Sequence, residues 1–509
     1  MSNRIKNILM PGVVLPLAAG GVTGCLIFIF KLAAGYVVQA SERIYALVRA
    51  NALYLPLLLI GALAVGAIAV ILLKYEKNAA GGGISTSVAV VRGLLTFKWL
   101  RTLITVFFAA LLTYFGGVPL GNEGPSVQMG TAVGEGTVSL LAKNRSIWRR
   151  YVMTGSASAG FAAATGAPLS GIIFSAEELH ERITPTLMLS AVSAVGASFG
   201  VTELLCFLTS GSSSLFHISI KSALPFKFVW MAAVVGIACA LVCVLYTKSH
   251  TLFGKLVSKA DGSVLAWIKV LLVFLATAVT GFFFSQCVGS GHDLIESVFE
   301  GHGVWYMLLV FLLLRMLLML TANNFGVTGG LFVPNLTFGA LIGILCAKGF
   351  NAIGALPSEY NVIMVCVAMS AYLCANSRIP FTAAVFGLEA LCGFSNILAV
   401  IVAVACSYIA VRLINVKTCD EVSIERREMM LDAADNGKSV KCSYTVMPDS
   451  FASGRYACDI LLPYGCEFVS PKKGRFTANE SVKLVCNQSA LSCLEDIFGK
   501  QSEGESTVA

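Results

Sequence analysis

An all-α polytopic membrane protein, followed by a small α+β domain, is predicted by three observations. The 509-residue chain is 57% hydrophobic and only 13% charged, with a mean hydropathy of +0.80, where soluble domains carry roughly 25% charged residues. Apolar stretches at 53–73, 226–246 and 264–284 reach the length that crosses a bilayer. One pattern of broken apolar segments occurs twice before residue 416, after which the composition turns charged.

The repeated pattern begins at two prolines. PSVQMGTAVG (125–134) matches PNLTFGALIG (334–343), with glycines five and nine residues after each proline. Both segments follow glycine-rich runs: Gly116, Gly117, Gly121 and Gly124 in one, Gly326, Gly329 and Gly330 in the other. Proline is favoured at the first position of a helix, where its missing N–H has no partner to lose. Each segment is therefore expected to open a helix at its proline, after irregular backbone. A second pair, APLSGIIFSAEEL (167–179) and IPFTAAVFGLEAL (379–391), aligns Pro168 with Pro380, Phe174 with Phe386 and Glu177 with Glu389. The offsets, 209 residues from 125 to 334 and 212 from 168 to 380, fit one duplication with a small insertion. The pattern is compatible with parallel or inverted repeats. Stretches near 156–176 and 361–375, interrupted by Gly, Pro or polar residues, are expected to stop partway.

The remaining segments bound the function. The first apolar run, 12–38, contains Lys31 and is too long for a cleaved signal peptide. Arg145, Arg149 and Arg150 suit a membrane surface, so the net charge of +8 does not call for nucleic acid. Sixteen scattered cysteines without CxxC pairs read as reduced, small apolar residues, with no metal or cofactor expected. Residues 423–440 read as a linker, and 441–499 as a small α+β domain with strands CSYTVM, CDILL, CEFVS and SVKLVC and a helix SALSCLEDIFG. The polar residues 500–509 are expected to be disordered. An enzyme is not expected: Thr184 stands where a second histidine would complete HExxH after His180, and neither a GxSxG nor a P-loop occurs.

The broken helices carry the chemistry. A helix N-terminus presents unpaired N–H groups and about half a positive charge. Turned into a low-dielectric cavity, it binds an anion without a fixed cation, and the anion can leave again. Irregular backbone at membrane depth is tolerated where it lines such a cavity, and paired broken helices in two halves mark a transporter's site. Close packing is the other reading, because Gly130/Gly134 and Gly339/Gly343 are GxxxG pairs. Glu123 stands just outside the first helix start, where its carboxylate can occupy the anion position until a proton removes its charge. A carboxylate inside a membrane is a functional-site hypothesis by default. Glu177 and Glu178 close a second apolar helix, and an ordinary helix end at the membrane surface is the alternative for Glu177.

GNEGP (121–125), GGLFVP (329–334) and GGGIS (81–85), in these positions, resemble the CLC chloride channel and transporter family over about residues 10–430. The resemblance implies a CLC-type inverted repeat of broken helices over 1–422, with repeats at about 10–210 and 225–418, in a multi-pass cell-membrane homodimer. It implies chloride/proton antiport with chloride, protons and membrane lipid as partners; a passive chloride channel or a fluoride/proton antiporter on the same fold are the alternatives. Glu123 would be the external gate, and Glu178, 55 residues later, the internal proton-transfer glutamate. Gly82, Gly83, Ile84, Asn122, Gly124, Leu331, Phe332 and Val333 would bind the anion. Three departures stand at the inner side. Gly82 replaces the serine of the family's usual GSGIP loop, which also ends here in Ser85 rather than proline. Asp420 is the nearest match to the family's pore tyrosine, making it the inner-gate candidate. The tail, through DILLPYGCEFV (459–469), ESVKLVC (480–486) and ALSCLEDIFG (490–499), resembles the TrkA-C (RCK-C) domain. That implies a cytoplasmic regulatory domain that pairs in dimers and can bind c-di-AMP. Leu461, Tyr464 and Phe468 would contact the bases and Lys472, Lys473 and Arg475 the phosphates; core packing and a solvated basic face are the plainer alternative.

Overall fold

The computed structural model describes residues 3–509 except 143–145, 210, 212–214, 217, 219, 221–222, 259–262, 435–438, 471–473, 488–490, 500–506 and 509. The first half contains α1 (Asn3–Leu9), α2 (Leu15–Ala50), α3 (Leu55–Tyr75), α4 (Ile84–Arg92) and α5 (Trp99–Phe115). It continues through α6 (Glu123–Leu141), α7 (Ser146–Thr165), α8 (Pro168–Phe174) and α9 (Pro185–Thr209). The second half contains α10 (Val229–Ser258), α11 (Ser263–Phe283), α12 (His292–Phe299) and α13 (Trp305–Asn324). It ends with α14 (Phe332–Ala352), α15 (Asn361–Ser377), α16 (Pro380–Phe386) and α17 (Ile397–Ile414). From α2 onward each helix has its counterpart in the second half, α2 with α10 through α9 with α17. Among the described residues, nine helical stretches are long and apolar enough to cross a membrane.

Two side chains tie the halves together reciprocally. Glu177, in a π-helical turn after α8, accepts from Phe381 N at 3.0 Å, Thr382 N at 2.6 Å and Thr382 Oγ1 at 2.7 Å, and so caps α16. Glu389, in the matching turn after α16, accepts from Leu169 N, Ser170 N and Ser170 Oγ at 2.8–2.9 Å and caps α8. Each carboxylate thus satisfies the first-turn N–H groups that the other half leaves open. Glu177 is a structural cap. Glu177→Ala is expected to lower stability by about 2 kcal/mol, the upper end for a lost helix cap, read as a lower unfolding midpoint in detergent with the ratio of transported ions unchanged.

Local expectations changed in two places. Helices α6 and α14 start at Glu123 and Phe332, two residues before Pro125 and Pro334, because any first-turn position lacks an N–H acceptor and tolerates proline. The stretch 361–375 lies in one unbroken helix, since the Ser370 hydroxyl bonds back to Cys366 O at 3.2 Å instead of interrupting the backbone. The stretch 156–176 does break, at Gly166 with φ of 68°, between α7 and α8.

Beyond the last span, α18 (Cys419–Ala434) covers much of the expected linker, and the tail follows as β1 (Ser439–Thr445), β2 (Glu467–Ser470), β3 (Ser481–Asn487), α19 (Leu491–Phe498) and β4 (Thr507–Val508). The sheet order is β2-β3-β1-β4. Strand β4 pairs antiparallel with β1 inside the segment expected to be disordered; the rest of 500–509 lies outside the described residues. CDILL is not a strand. Ala457–Asp459 form a 3-10 turn, and the Tyr151 hydroxyl donates to Asp459 O at 2.8 Å while accepting from Leu461 N at 3.3 Å. Backbone groups that a ladder would have paired are held by α7 instead. Tyr444, Phe476 and Phe498 share one apolar core with Trp148, Tyr151 and Leu187, so the tail is packed on the membrane domain.

Candidate anion and proton site

Three irregular segments meet where α4, α6 and α14 begin. Gly121 and Gly330 form an antiparallel bridge, exchanging hydrogen bonds of 2.7 and 2.6 Å. Gly329 N donates to Gly81 O at 3.3 Å, Thr328 Oγ1 to Ala79 O at 2.7 Å, and Gln128 Nε2 to Asn78 O at 2.6 Å. The approach is so close that a Cβ on Gly124 would lie 1.8 Å from Gly82 O and 2.8 Å from Gly330 Cα. Gly83 adopts φ of 81°, which favours glycine, and faces Gly124 O. The structure therefore brings Gly82, Gly83, Ile84, Asn122, Gly124, Leu331, Phe332 and Val333 to one junction of three helix starts.

Glu123 is fully buried there. Among the described residues its two carboxylate oxygens have no well-formed hydrogen bond, and they lie beside the backbone amides of Glu123 and Val333. A Cβ at Gly121 would come within 2.6 Å of Oε2, so the glycine leaves the space the carboxylate fills. The carboxylate sits across the starts of α6 and α14, where an anion would sit. Phe332 closes the inner side, in edge contact with Phe161 at 5.1 Å and Phe386 at 5.0 Å between ring centroids.

An inner cavity of about 750 Å³ is lined by Arg92, Glu177, Glu178, Arg378, Asp420 and Glu421, among others. Arg92, the last residue of α4, donates to Leu179 O at 2.9 Å, Glu178 O at 3.0 Å and Glu181 Oε1 at 2.9 Å, fixing the segment that carries Glu178. Asp420, in the first turn of α18, lies beside the Ser85 side chain at the start of α4. Arg427, two turns further along α18, donates to Thr86 Oγ1 at 3.1 Å and Ser85 O at 3.4 Å. Gly82 offers backbone alone, with the Leu331 side chain next to it.

A family model described as voltage gated chloride channel matches residues 61–412. The chain belongs to the CLC family. Solved CLC structures share the fold at low identity. The crystal structure of a slow cyanobacterial Cl−/H+ antiporter aligns with a TM-score of 0.75 at 22% identity, covering 82% of this chain and 97% of that one. A eukaryotic CLC transporter aligns at 0.69 and 18% identity, covering 82% and 74%. A CLC-type fluoride/proton antiporter aligns at 0.65 and 18%, covering 79% and 95%. The chain is accordingly a multi-pass membrane protein of an anion-transporting family.

Within the CLC frame, sequence reasoning missed three features. GSGHD (289–293) is the second-half counterpart of GGGIS (81–85), 208 residues later, and opens α12 as GGGIS opens α4; that offset was the available signal. Lys31 of α2 lines an outer cavity of about 440 Å³ together with Gly121, Asn122, His292 and Asp293, and its ammonium reaches Ala163 O at 3.5 Å. Arg92 carries no local motif at all.

The tail candidates are distributed differently from the expectation. Leu461 is buried in the core shared with α7. The Tyr464 amide donates to Arg92 O at 3.3 Å. Phe468 packs on Phe476 and Phe498. These three do not form a free ligand surface, because docking on the membrane domain and the aromatic core use them. Lys472 and Lys473 lie outside the described residues, and Arg475 lines a separate cavity between tail and membrane domain.

Proposed function

We propose that this CLC protein exchanges chloride for protons, with Glu123 as the proton-operated stopper of the anion site and Glu178 as the inner proton carrier. The observation that carries the reading is the buried Glu123 carboxylate lying across two helix starts that offer only backbone N–H groups. Deprotonated, it competes with the anion for those groups. Protonated, it loses its attraction to them and the anion enters. Glu178 faces the inner cavity, where it takes protons from water without using the anion's route past Phe332 and Gly82. Asp420 beside Ser85 is the inner gate in this reading: its charge repels anions from the start of α4 until it is protonated or turned aside.

Glu178→Gln tests the assignment. Proton movement is expected to fall to background while chloride flux persists, measured with paired chloride and pH electrodes on proteoliposomes. Unchanged proton flux would remove Glu178 from the route. Substituting nitrate and fluoride for chloride in the same assay separates the fluoride alternative and reads the anion preference at Gly82, which offers no hydroxyl to the anion. The same reading includes a homodimer with its tails on the cytoplasmic side and c-di-AMP as tail ligand, on a surface other than that of Leu461, Tyr464 and Phe468. Calorimetry of the full-length protein with the dinucleotide tests that part alone; no heat at high ligand concentration removes it.

A further inference from the structure

A cavity of about 370 Å³ lies in the seam between the tail and the membrane domain, away from the ion path. Its size falls in the range of about 300–1,000 Å³ typical of small-molecule sites. The membrane domain contributes Asn7 and Ile8 at the start of the first span, and Pro185, Thr186 and Leu189 at the start of α9. The tail contributes Ser450, Phe451, Ser453, Arg455, Asp459 and Arg475, among others.

Three features of this lining point to one ligand chemistry. Two guanidinium groups meet there with a single carboxylate, Asp459, so the lining carries a net positive charge. Arg455 is buried, stacked 3.8 Å over Phe451, and donates to Thr186 Oγ1 and Asn7 O at 2.8 Å each, which fixes its plane. Arg475 donates its Nε to Gly454 O at 2.8 Å and is otherwise exposed. Planar, pre-oriented guanidinium groups select phosphate oxygens. The Ser450 hydroxyl is buried and makes no hydrogen bond among the described residues, so the cavity holds a polar group that wants a partner. The apolar part reaches the outer surface of the chain: Ile8 and Leu189 are 39% and 37% exposed near the starts of two spans, and Tyr456 of the tail, which lines the same cavity, is 54% exposed. Apolar side chains exposed at the end of a span lie near the boundary between hydrocarbon and headgroups.

We propose that this seam binds a phosphate ester, the headgroup of an anionic phospholipid, held by Arg455, Arg475 and the Ser450 hydroxyl. The phosphate bridges tail residues to the start of α9, whose dipole adds to the attraction. The lipid then acts as a clip that keeps the tail docked, with its acyl chains leaving past Ile8 and Leu189.

The test uses the full-length protein in detergent, with thermal unfolding as readout, so that it does not depend on the transport reading. Micelles containing phosphatidylglycerol are compared with micelles containing phosphatidylcholine, and glycerol 3-phosphate without lipid is the third arm. Phosphatidylglycerol is expected to raise the unfolding midpoint by a few degrees, and Arg475→Glu, at an exposed position, is expected to lose that shift while keeping the basal midpoint. Ser453→Asp, which places a carboxylate in the same cavity, is the second variant and should behave alike. A shift with glycerol 3-phosphate that matches the lipid's would keep the site and assign it a soluble ligand. An equal lipid shift in wild type and both variants, or no shift with either phosphate source, would overturn the proposal.

Discussion

Glu123→Gln is expected to leave anion flux in place and abolish proton transport. The amide has the shape of the carboxylic acid, so it fits the buried space beside Gly121 and Val333. It is neutral at every pH, so it no longer competes with an anion for the N–H groups at the starts of α6 and α14. It also cannot accept a proton and pass it on. Removing a positioned proton carrier typically lowers a proton-transfer step by about 10²–10⁴-fold, which in proteoliposomes reads as proton flux lost into background. Wild-type anion flux should rise as the external pH falls and Glu123 is protonated, whereas the variant's should be flat with external pH, leaving only the response of Asp420 on the inner side. Simultaneous chloride and pH recordings at several external pH values check both points. A variant that still moves protons at the wild-type rate would mean that another group carries them past this position.

Gly124→Ala is expected to destroy the site from the backbone side. The added methyl would stand 1.8 Å from Gly82 O and 2.8 Å from Gly330 Cα. Both neighbours are backbone, so no side chain can rotate to make room. Overpacking in a core typically costs about 1–3 kcal/mol, occasionally more, and here relief requires parting two of the three helix starts. The expected result is loss of both chloride and proton flux with a lower unfolding midpoint. Gly35→Ala is the matched control, because a Cβ at that helical position meets nothing within 4 Å. There, replacing glycine in a helix should be neutral or stabilise by about 0.4–1 kcal/mol. Wild-type flux in Gly124→Ala would show that the three segments are looser than the described contacts.

The paired helix starts were legible because their physics is local. Glycine, proline and a lone carboxylate within five residues say that a helix begins abruptly and what stands at its end. The two prolines located α6 and α14 to within two residues, and the duplication extended to Glu177 and Glu389. Their role was not legible. Glu177 caps a helix 204 residues away, and nothing near it in the chain distinguishes such a cap from the proton carrier proposed at Glu178. Arg92 and Arg427 act through tertiary contacts in the same way and carry no local signal, whereas Lys31, a charge inside an apolar run, carries one. CDILL reads as a strand on side-chain type alone, yet its backbone groups are satisfied by Tyr151, a residue of another domain. The reading of Asp420 as an inner gate comes from its position in the sequence; the structure adds that it lies beside Ser85 at the start of α4.

The central claim is coupling: the anion site opens when Glu123 takes a proton, so one ion cannot complete its passage without the other. It is tested most directly by imposing a chloride gradient across proteoliposomes holding the wild-type protein, with no initial pH gradient, and recording internal pH. Chloride running down its gradient should drive protons the opposite way and build a pH difference that a proton ionophore collapses. Chloride flux with no movement of protons would contradict the account and make the protein a passive anion pathway.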